Sequence, residues 1–298
     1  MRIQLHPGLE FSRLVHGYWR LAEWNLSDQQ LLTLIHDNLE MGITTVDHAD
    51  IYGDYSCEGL FGGALKLEPA LRDKLEIVTK CGIKLISDKF PERKLKHYDY
   101  SVDHIVQSVE QSLRNLATDR IDLLLLHRPS PFFDPQEVVK AFDQLKTQGK
   151  VLFFGVSNFT ARQFEMLQAY WDGPLVTNQL EISPYCLDSF LNGSLDFLQK
   201  EDIKPMAWSP LGGGKIFNPT DTKGARLLEA LNKVGHELQC PLSQVIYQWI
   251  LKHPARILPV IGSGKSNRIK EAVAALALEM TLEQWFEIYE ASLGWQLP

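Results

Sequence analysis

Residues 121–127 read Ile-Asp-Leu-Leu-Leu-Leu-His, an apolar run that stops on a histidine. Strands buried on both faces, as in parallel sheets covered by helices, read as continuous apolar runs of this kind. Similar runs occur at Leu14–His16, Thr44–Asp47, Glu76–Lys80, Val151–Ser157, Leu175–Gln179, Lys204–Ser209 and Ile257–Ile261, which makes eight strand candidates. Helical patterns fill the gaps. Ser27 with Gln30, Thr160 with Gln163 and Thr281 with Gln284 have capping-box spacing. Pro135 follows Asp134 at a first helical position, and Gly42 and Gly149 stand just past helix ends. In residues 101–116 the apolar side chains Val102, Ile105, Val106, Val109, Leu113 and Leu116 line one face. Eight strand–helix units predict an α/β fold, a single (β/α)8 TIM barrel domain over residues 1–298; roughly 250 residues is typical of such a barrel. An open doubly wound sheet for dinucleotides would normally carry G-x-G-x-x-G after its first strand, and that motif is absent. Arg-Ile-Gln-Leu followed by Leu-Glu-Phe, within the first dozen residues, predicts a short N-terminal β-hairpin closing the barrel floor.

The chain of 298 residues carries a net charge of −7, with an isoelectric point near 5.7. That balance argues against a nucleic-acid partner, which would call for a basic face. The apolar runs are too short to span a membrane, and Met-Arg-Ile-Gln-Leu-His-Pro has no apolar signal core. Cys57, Cys81, Cys186 and Cys240 form no CxxC pair and no zinc-ligand spacing. The expectation is a cytoplasmic protein with reduced thiols and no metal. With no coiled-coil heptad or obvious docking patch, the expected state is a monomer.

In a barrel of this type, function sits at the C-terminal strand ends. The second strand ends on Asp47, with Tyr52 five residues on; the third ends on Lys80, the fourth on His127. Singly, each has an ordinary structural reading. Together they bring a carboxylate, a phenol, an ammonium and an imidazole to one rim. A lysine ammonium beside a tyrosine should lower the phenol pKa from near 10. A buried aspartate would keep that lysine charged. Tyr52 would then serve as a proton donor near neutral pH, and a neutral His127 would donate a hydrogen bond to the same carbonyl oxygen. No side chain supplies hydride, so a cofactor is required. His48 and Asp50, inside the same motif, are expected to be solvated or to stand behind these groups.

The segments Val-Asp-His-Ala-Asp-Ile-Tyr-Gly (46–53), Val-Thr-Lys (78–80), Leu-Leu-Leu-His-Arg-Pro (124–129), Gly-Val-Ser-Asn-Phe (155–159), Asn-Gln-Leu-Glu-Ile-Ser-Pro (178–184) and Ala-Trp-Ser-Pro-Leu-Gly-Gly-Gly (207–214) resemble, in order, the signature segments of the aldo/keto reductases. The resemblance implies a barrel that binds NADP(H) without a Rossmann motif and reduces a small carbonyl compound. It implies Tyr52 as the general acid, tuned by Lys80 and Asp47, with His127 orienting the carbonyl. Ser157, Asn158 and Gln179 would hold the nicotinamide carboxamide, and Trp208 would stack on its ring. Gly17, Tyr18 and Trp19 join the expected cofactor contacts. Ser209, Pro210, Leu211, Gly212 and Gly213 form a loop whose backbone N–H groups could close over a pyrophosphate, with Lys215 beside it. Residues 261–266 look like a phosphate loop, but the required first glycine falls at Pro259. Ser263, Lys265 and Arg268 still converge on a helix start, an anion site suited to an adenosine 2′-phosphate, and Glu271 is placed to reach adenine. Gly262 and Ala272 depart from the lysine and asparagine that many members carry. Tyr18, Trp19, Trp24, Phe132, Phe133 and Trp295 are expected to form an apolar mouth for aldehydes or ketones. Two other readings stand beside this one. One is a cofactor-bound regulatory barrel with little turnover. The other is an aldolase using Lys80 as a Schiff-base nucleophile.

Overall fold

The computed structural model describes residues 1–298. Its strands are β1 (Arg2–His6), β2 (Leu9–Ser12), β3 (Val15–Gly17), β4 (Thr45–Asp47), β5 (Glu76–Cys81), β6 (Ile83–Lys84), β7 (His97–Tyr98), β8 (Ile121–Leu126), β9 (Val151–Ser157), β10 (Leu175–Glu181), β11 (Met206–Trp208) and β12 (Leu258–Ile261). Eight of them close into a barrel in the order β10-β11-β12-β3-β4-β5-β8-β9, surrounded by helices: a (β/α)8 TIM barrel. The apolar reading of β8 is correct, since Leu123, Leu124, Leu125 and Leu126 are all fully buried. The strand Val151–Ser157 has the expected bounds, and the others differ by at most two residues at an end. β11 starts late because Pro205 offers no N–H to a ladder, and it ends where Ser209 turns to a φ of 49°. His127 lies one residue past β8, yet its amide still donates to Cys81 O at 3.0 Å.

The chain forms two compact units, residues 1–178 with 262–264, and residues 179–261 with 265–298. In the first, β1 and β2 pair as the expected antiparallel hairpin. Arg2 donates to Thr44 Oγ1 and Glu76 Oε1, both at 2.7 Å, and the Ser12 hydroxyl oxygen accepts the amides of Thr44 and Thr45. The hairpin thereby lies at the N-terminal ends of β4 and β5, the floor of the barrel. In the second unit an aromatic column joins the helices Leu242–Leu251 and Leu282–Leu293. Trp249 and Trp285 stack at 4.9 Å, each indole N–H donating to the other's backbone oxygen. No helix is long and apolar enough to cross a membrane.

All three capping boxes form at Ser27, Thr160 and Thr281, and Asp134 caps the helix that begins at Pro135. The helix Val102–Asn115 corrects one detail. Its buried face is Ile105, Ser108, Val109 and Ser112, while Val102, Val106 and Leu113 are half-buried. The two serines sit inside because this helix crosses close to the helix Cys57–Leu67. A methyl group on Gly62 would lie 1.9 Å from Asn115 O.

That contact separates two glycines on one helix. Gly62→Ala should cost about 1–3 kcal/mol, the range for forcing volume into a packed site. Gly59 is exposed with open space where a Cβ would go. Gly59→Ala should therefore stabilise by about 0.5–1 kcal/mol, the ordinary gain of alanine over a helical glycine. Urea unfolding of both variants checks this; equal effects would contradict the close crossing.

Candidate active site

Lys80, next to last in β5, is fully buried. Its ammonium donates to both carboxylate oxygens of Asp47 at 2.7 Å, to His48 O at 2.7 Å and to the Tyr52 hydroxyl at 3.2 Å. Burial works against the charge, but the contacts with Asp47 and Tyr52 outweigh it, so the lysine pKa is raised. A Schiff-base lysine must present a free amine. An ammonium held by four acceptors does not, and the aldolase reading has no support in this geometry.

Tyr52 begins a short helical turn after β4. Its ring lies 5.0 Å from the lysine nitrogen and edge-on to His127 at 5.8 Å. The expected fall in its pKa is corrected here. Desolvation of the hydroxyl, helped by the Asp47 charge, outweighs the Lys80 ammonium, and the phenol pKa is raised. Tyr52 therefore keeps its proton through neutral pH. His127 is buried, and burial together with Lys80, Arg128 and Lys96 drives its pKa far below the usual imidazole value. The ring is neutral, and its Nδ1 has no partner within the protein. Its backbone oxygen accepts from Asn158 Nδ2 at 3.3 Å, and the same amide donates to Ser157 Oγ at 2.8 Å. The structure thus brings together Asp47, Tyr52, Lys80 and His127 and joins Ser157 and Asn158 to their edge.

Behind them lies a dense interior. His48 is not solvated: it is fully buried, stacked on Tyr18 at 4.9 Å and against the edge of Phe61. Tyr18, expected at the mouth, is also fully buried. Its amide still donates to Asp47 O at 2.9 Å, so the barrel wall rather than the following loop sets its direction. Asp50 is desolvated and faces Glu58, and both effects push its pKa well up. Glu58 is itself raised by burial while accepting from Thr79 Oγ1 at 2.6 Å. Sequence reasoning missed Glu58. The signal was its place in line with Phe61, Gly62 and Leu65 on an apolar helix face.

Of the expected mouth aromatics, Trp19 is 57% exposed with its ring 6.5 Å from that of Tyr52. Phe132 is 96% exposed, Phe133 packs on Tyr100 and Phe159, and Trp24 stacks on His16. Gly17 ends β3. Ser263 O accepts from His16 Nε2 at 3.0 Å, and Gly264 lies against the Trp24 ring.

On the second unit Gln179 is buried in β10 beside Met206, and Trp208 ends β11, half-buried. The glycine loop differs from expectation. Its amides are partly used within a tight turn: Gly212 N donates to Ser209 O, Gly214 N to Leu211 O and Lys215 N to Gly212 O. Left-handed φ at Gly212, Gly213 and Gly214 folds the loop back on itself after Pro210. Lys215 lies over the Tyr185 ring. Lys265 and Arg268 are exposed around the first turn of the helix Ser266–Ala274, whose Ser266 hydroxyl is buried without a protein partner. An orphaned hydroxyl and two cations at a helix N-terminus fit a phosphate group. Glu271 accepts from Ser243 Oγ at 2.7 Å, and Ala272 is buried as packing.

The sequence pattern of the Aldo/keto reductase family matches residues 13–292. This chain belongs to the aldo/keto reductase family. The "Uncharacterized oxidoreductase YcsN" of Bacillus subtilis (strain 168) is 52% identical over 298 residues, covering 100% of this chain and 99% of that protein. The "6-dehydroglucose reductase" of Agrobacterium fabrum is 45% identical over 296 residues, covering 98% of each. A thermostable aldo-keto reductase, Tm1743, solved with the inhibitor epalrestat, superimposes with a TM-score of 0.82 at 24% identity, over 98% of this chain and 99% of that one, a likeness of fold. This aldo/keto reductase is accordingly an oxidoreductase of a family that works with nicotinamide cofactors on carbonyl groups.

Proposed function

We propose that this aldo/keto reductase converts an aldehyde or ketone to an alcohol using NADPH, with Tyr52 as the general acid. One observation carries the reading: a single buried ammonium, Lys80, holds both the Asp47 carboxylate and the Tyr52 hydroxyl, beside a neutral His127. A reduced nicotinamide, when bound, supplies the hydride to the carbonyl carbon. Tyr52 passes its proton to the carbonyl oxygen, and the Lys80 ammonium stabilises the phenolate left behind. Asp47 keeps that ammonium charged inside the protein. The His127 imidazole donates a hydrogen bond that orients the carbonyl and stabilises charge growing on its oxygen. Ser157, Asn158 and Gln179 would hold the carboxamide, and Trp208 would face the ring. Lys265, Arg268 and the Ser266 hydroxyl would receive the 2′-phosphate, which favours NADPH over NADH. The complete set of four catalytic groups supports turnover over a purely regulatory role. The relatives named 6-dehydroglucose reductase support a sugar aldehyde as substrate. A reducing cytoplasmic setting, supported by four cysteines that form no disulfide, and a monomer complete the proposal.

Tyr52→Phe should lower kcat by about 10²–10⁴-fold, the range for a lost general acid, while NADPH binding is kept. Retained turnover of a glucose 6-aldehyde and of simpler aldehydes would overturn the assignment. For pH, the sign follows from both groups. Reduction needs the protonated phenol, whose pKa is raised, and the neutral imidazole, whose pKa is lowered. The rate kcat/KM for the carbonyl compound should be flat from about pH 6 to about pH 9; a titration inside that window would contradict these environments. Arg268→Ala should weaken NADPH binding by about tenfold or more, the worth of a charge-assisted hydrogen bond, with little change for NADH. Equal losses for the two cofactors would remove Arg268 from the phosphate site.

A further inference from the structure

The turn that follows Tyr52 is strained. Gly53 and Asp54 have φ of 57° and 52°, and Tyr55 has φ of 62°, three successive residues in the left-handed region. Aspartate visits that region with some ease; a bulky tyrosine rarely does. Such conformations persist only where the surroundings over-determine them.

The surroundings here are one segment of the loop between β5 and the helix Val102–Asn115. The Tyr55 hydroxyl oxygen accepts from the Leu85 amide at 3.0 Å and from Arg93 Nη1 at 2.8 Å. Lys89 donates its ammonium to Asp54 O. The Tyr55 ring meets the edge of Phe90 at 4.9 Å, and the Arg93 guanidinium lies 3.6 Å above the Phe90 ring. The Arg93 side chain is only 14% exposed. Both left-handed side-chain-bearing residues, Asp54 and Tyr55, are thus gripped by residues 85–93, while Tyr52 two residues upstream must keep its hydroxyl 3.2 Å from Lys80.

We propose that residues 85–93 are a clasp and that Arg93 and Tyr55 are positioning residues for Tyr52. They hold the left-handed turn in place, and the turn holds the phenol against Lys80. Released, the turn would relax toward right-handed geometry and carry the Tyr52 hydroxyl away from the carbonyl oxygen. The inference rests on the reading of Tyr52 as the general acid. It assigns a role in kcat to two residues that touch neither lysine nor imidazole.

The test compares Arg93→Ala, Arg93→Lys, Tyr55→Phe and the double variant Arg93→Ala/Tyr55→Phe in the full-length enzyme. The readouts are kcat, KM for the carbonyl compound, the NADPH dissociation constant and thermal unfolding. Arg93→Ala and Tyr55→Phe should each lower kcat by about 10–100-fold, the cost of ångström-scale misplacement of a reacting group. NADPH affinity should stay within about twofold, since no proposed phosphate or carboxamide contact is touched. Arg93→Lys should recover most of the loss, because an ammonium can still donate to the Tyr55 hydroxyl. The double variant should lose less than the product of the two single losses, because each single variant already removes the shared Arg93–Tyr55 hydrogen bond. Unchanged kcat in the two conservative variants together with Arg93→Ala, or losses that multiply in the double variant, would overturn the clasp. If Tyr52→Phe also keeps turnover, the assignment of the acid itself has failed; if Tyr52→Phe is inactive, only the clasp has.

Discussion

The Lys80–Asp47 ion pair is the interaction on which the site depends. A charged amine inside a protein is unfavourable unless paired and fully hydrogen-bonded. Here two carboxylate oxygens, one backbone oxygen and one phenol oxygen satisfy it. Removing either partner would strand a buried charge, at a cost of about 3–5 kcal/mol. The pair therefore ties β4 to β5 and offers the phenol oxygen a charged donor. It also keeps the lysine an ammonium, which separates carbonyl reduction from amine chemistry at the same strand end.

Burial has opposite consequences for the groups around that pair. It lowers the imidazole pKa of His127 and raises the phenol pKa of Tyr52, so both are neutral hydrogen-bond donors over the same broad pH range. It raises Asp50 and Glu58 as well. Low local polarity thus makes the ion pair strong and the donors neutral in one stroke.

The loop between β5 and its helix adds a mechanical side to this electrostatic picture. Barrel strands place Asp47, Lys80 and His127 through ladder hydrogen bonds, which tolerate little displacement. Tyr52 has no such support, since it stands on a turn beyond β4. Its placement falls to local backbone strain and to the side chains that restrain it. A barrel of this kind can vary its loops for substrate while its wall stays constant. A loop that also grips Asp54 and Tyr55, next to Tyr52, links those two properties.

The barrel, its eight strands and the residues at their ends were legible in the chain alone. Periodicity, capping boxes and apolar runs are local signals, and a strand end is one residue wide. Asp47, Lys80 and His127 could be read from such ends, and Tyr52 from its spacing. What local patterns could not carry was the sign of a pKa, since desolvation depends on everything packed around a group. So the raised phenol of Tyr52, the buried stack of Tyr18 on His48 and the inward Glu58 belong to the tertiary structure. The same holds for the folded glycine turn at Gly212–Gly214 and for the grip of Arg93 on Tyr55. Contacts between residues some forty positions apart, such as that one, have no period in sequence; they arise only when the chain closes on itself.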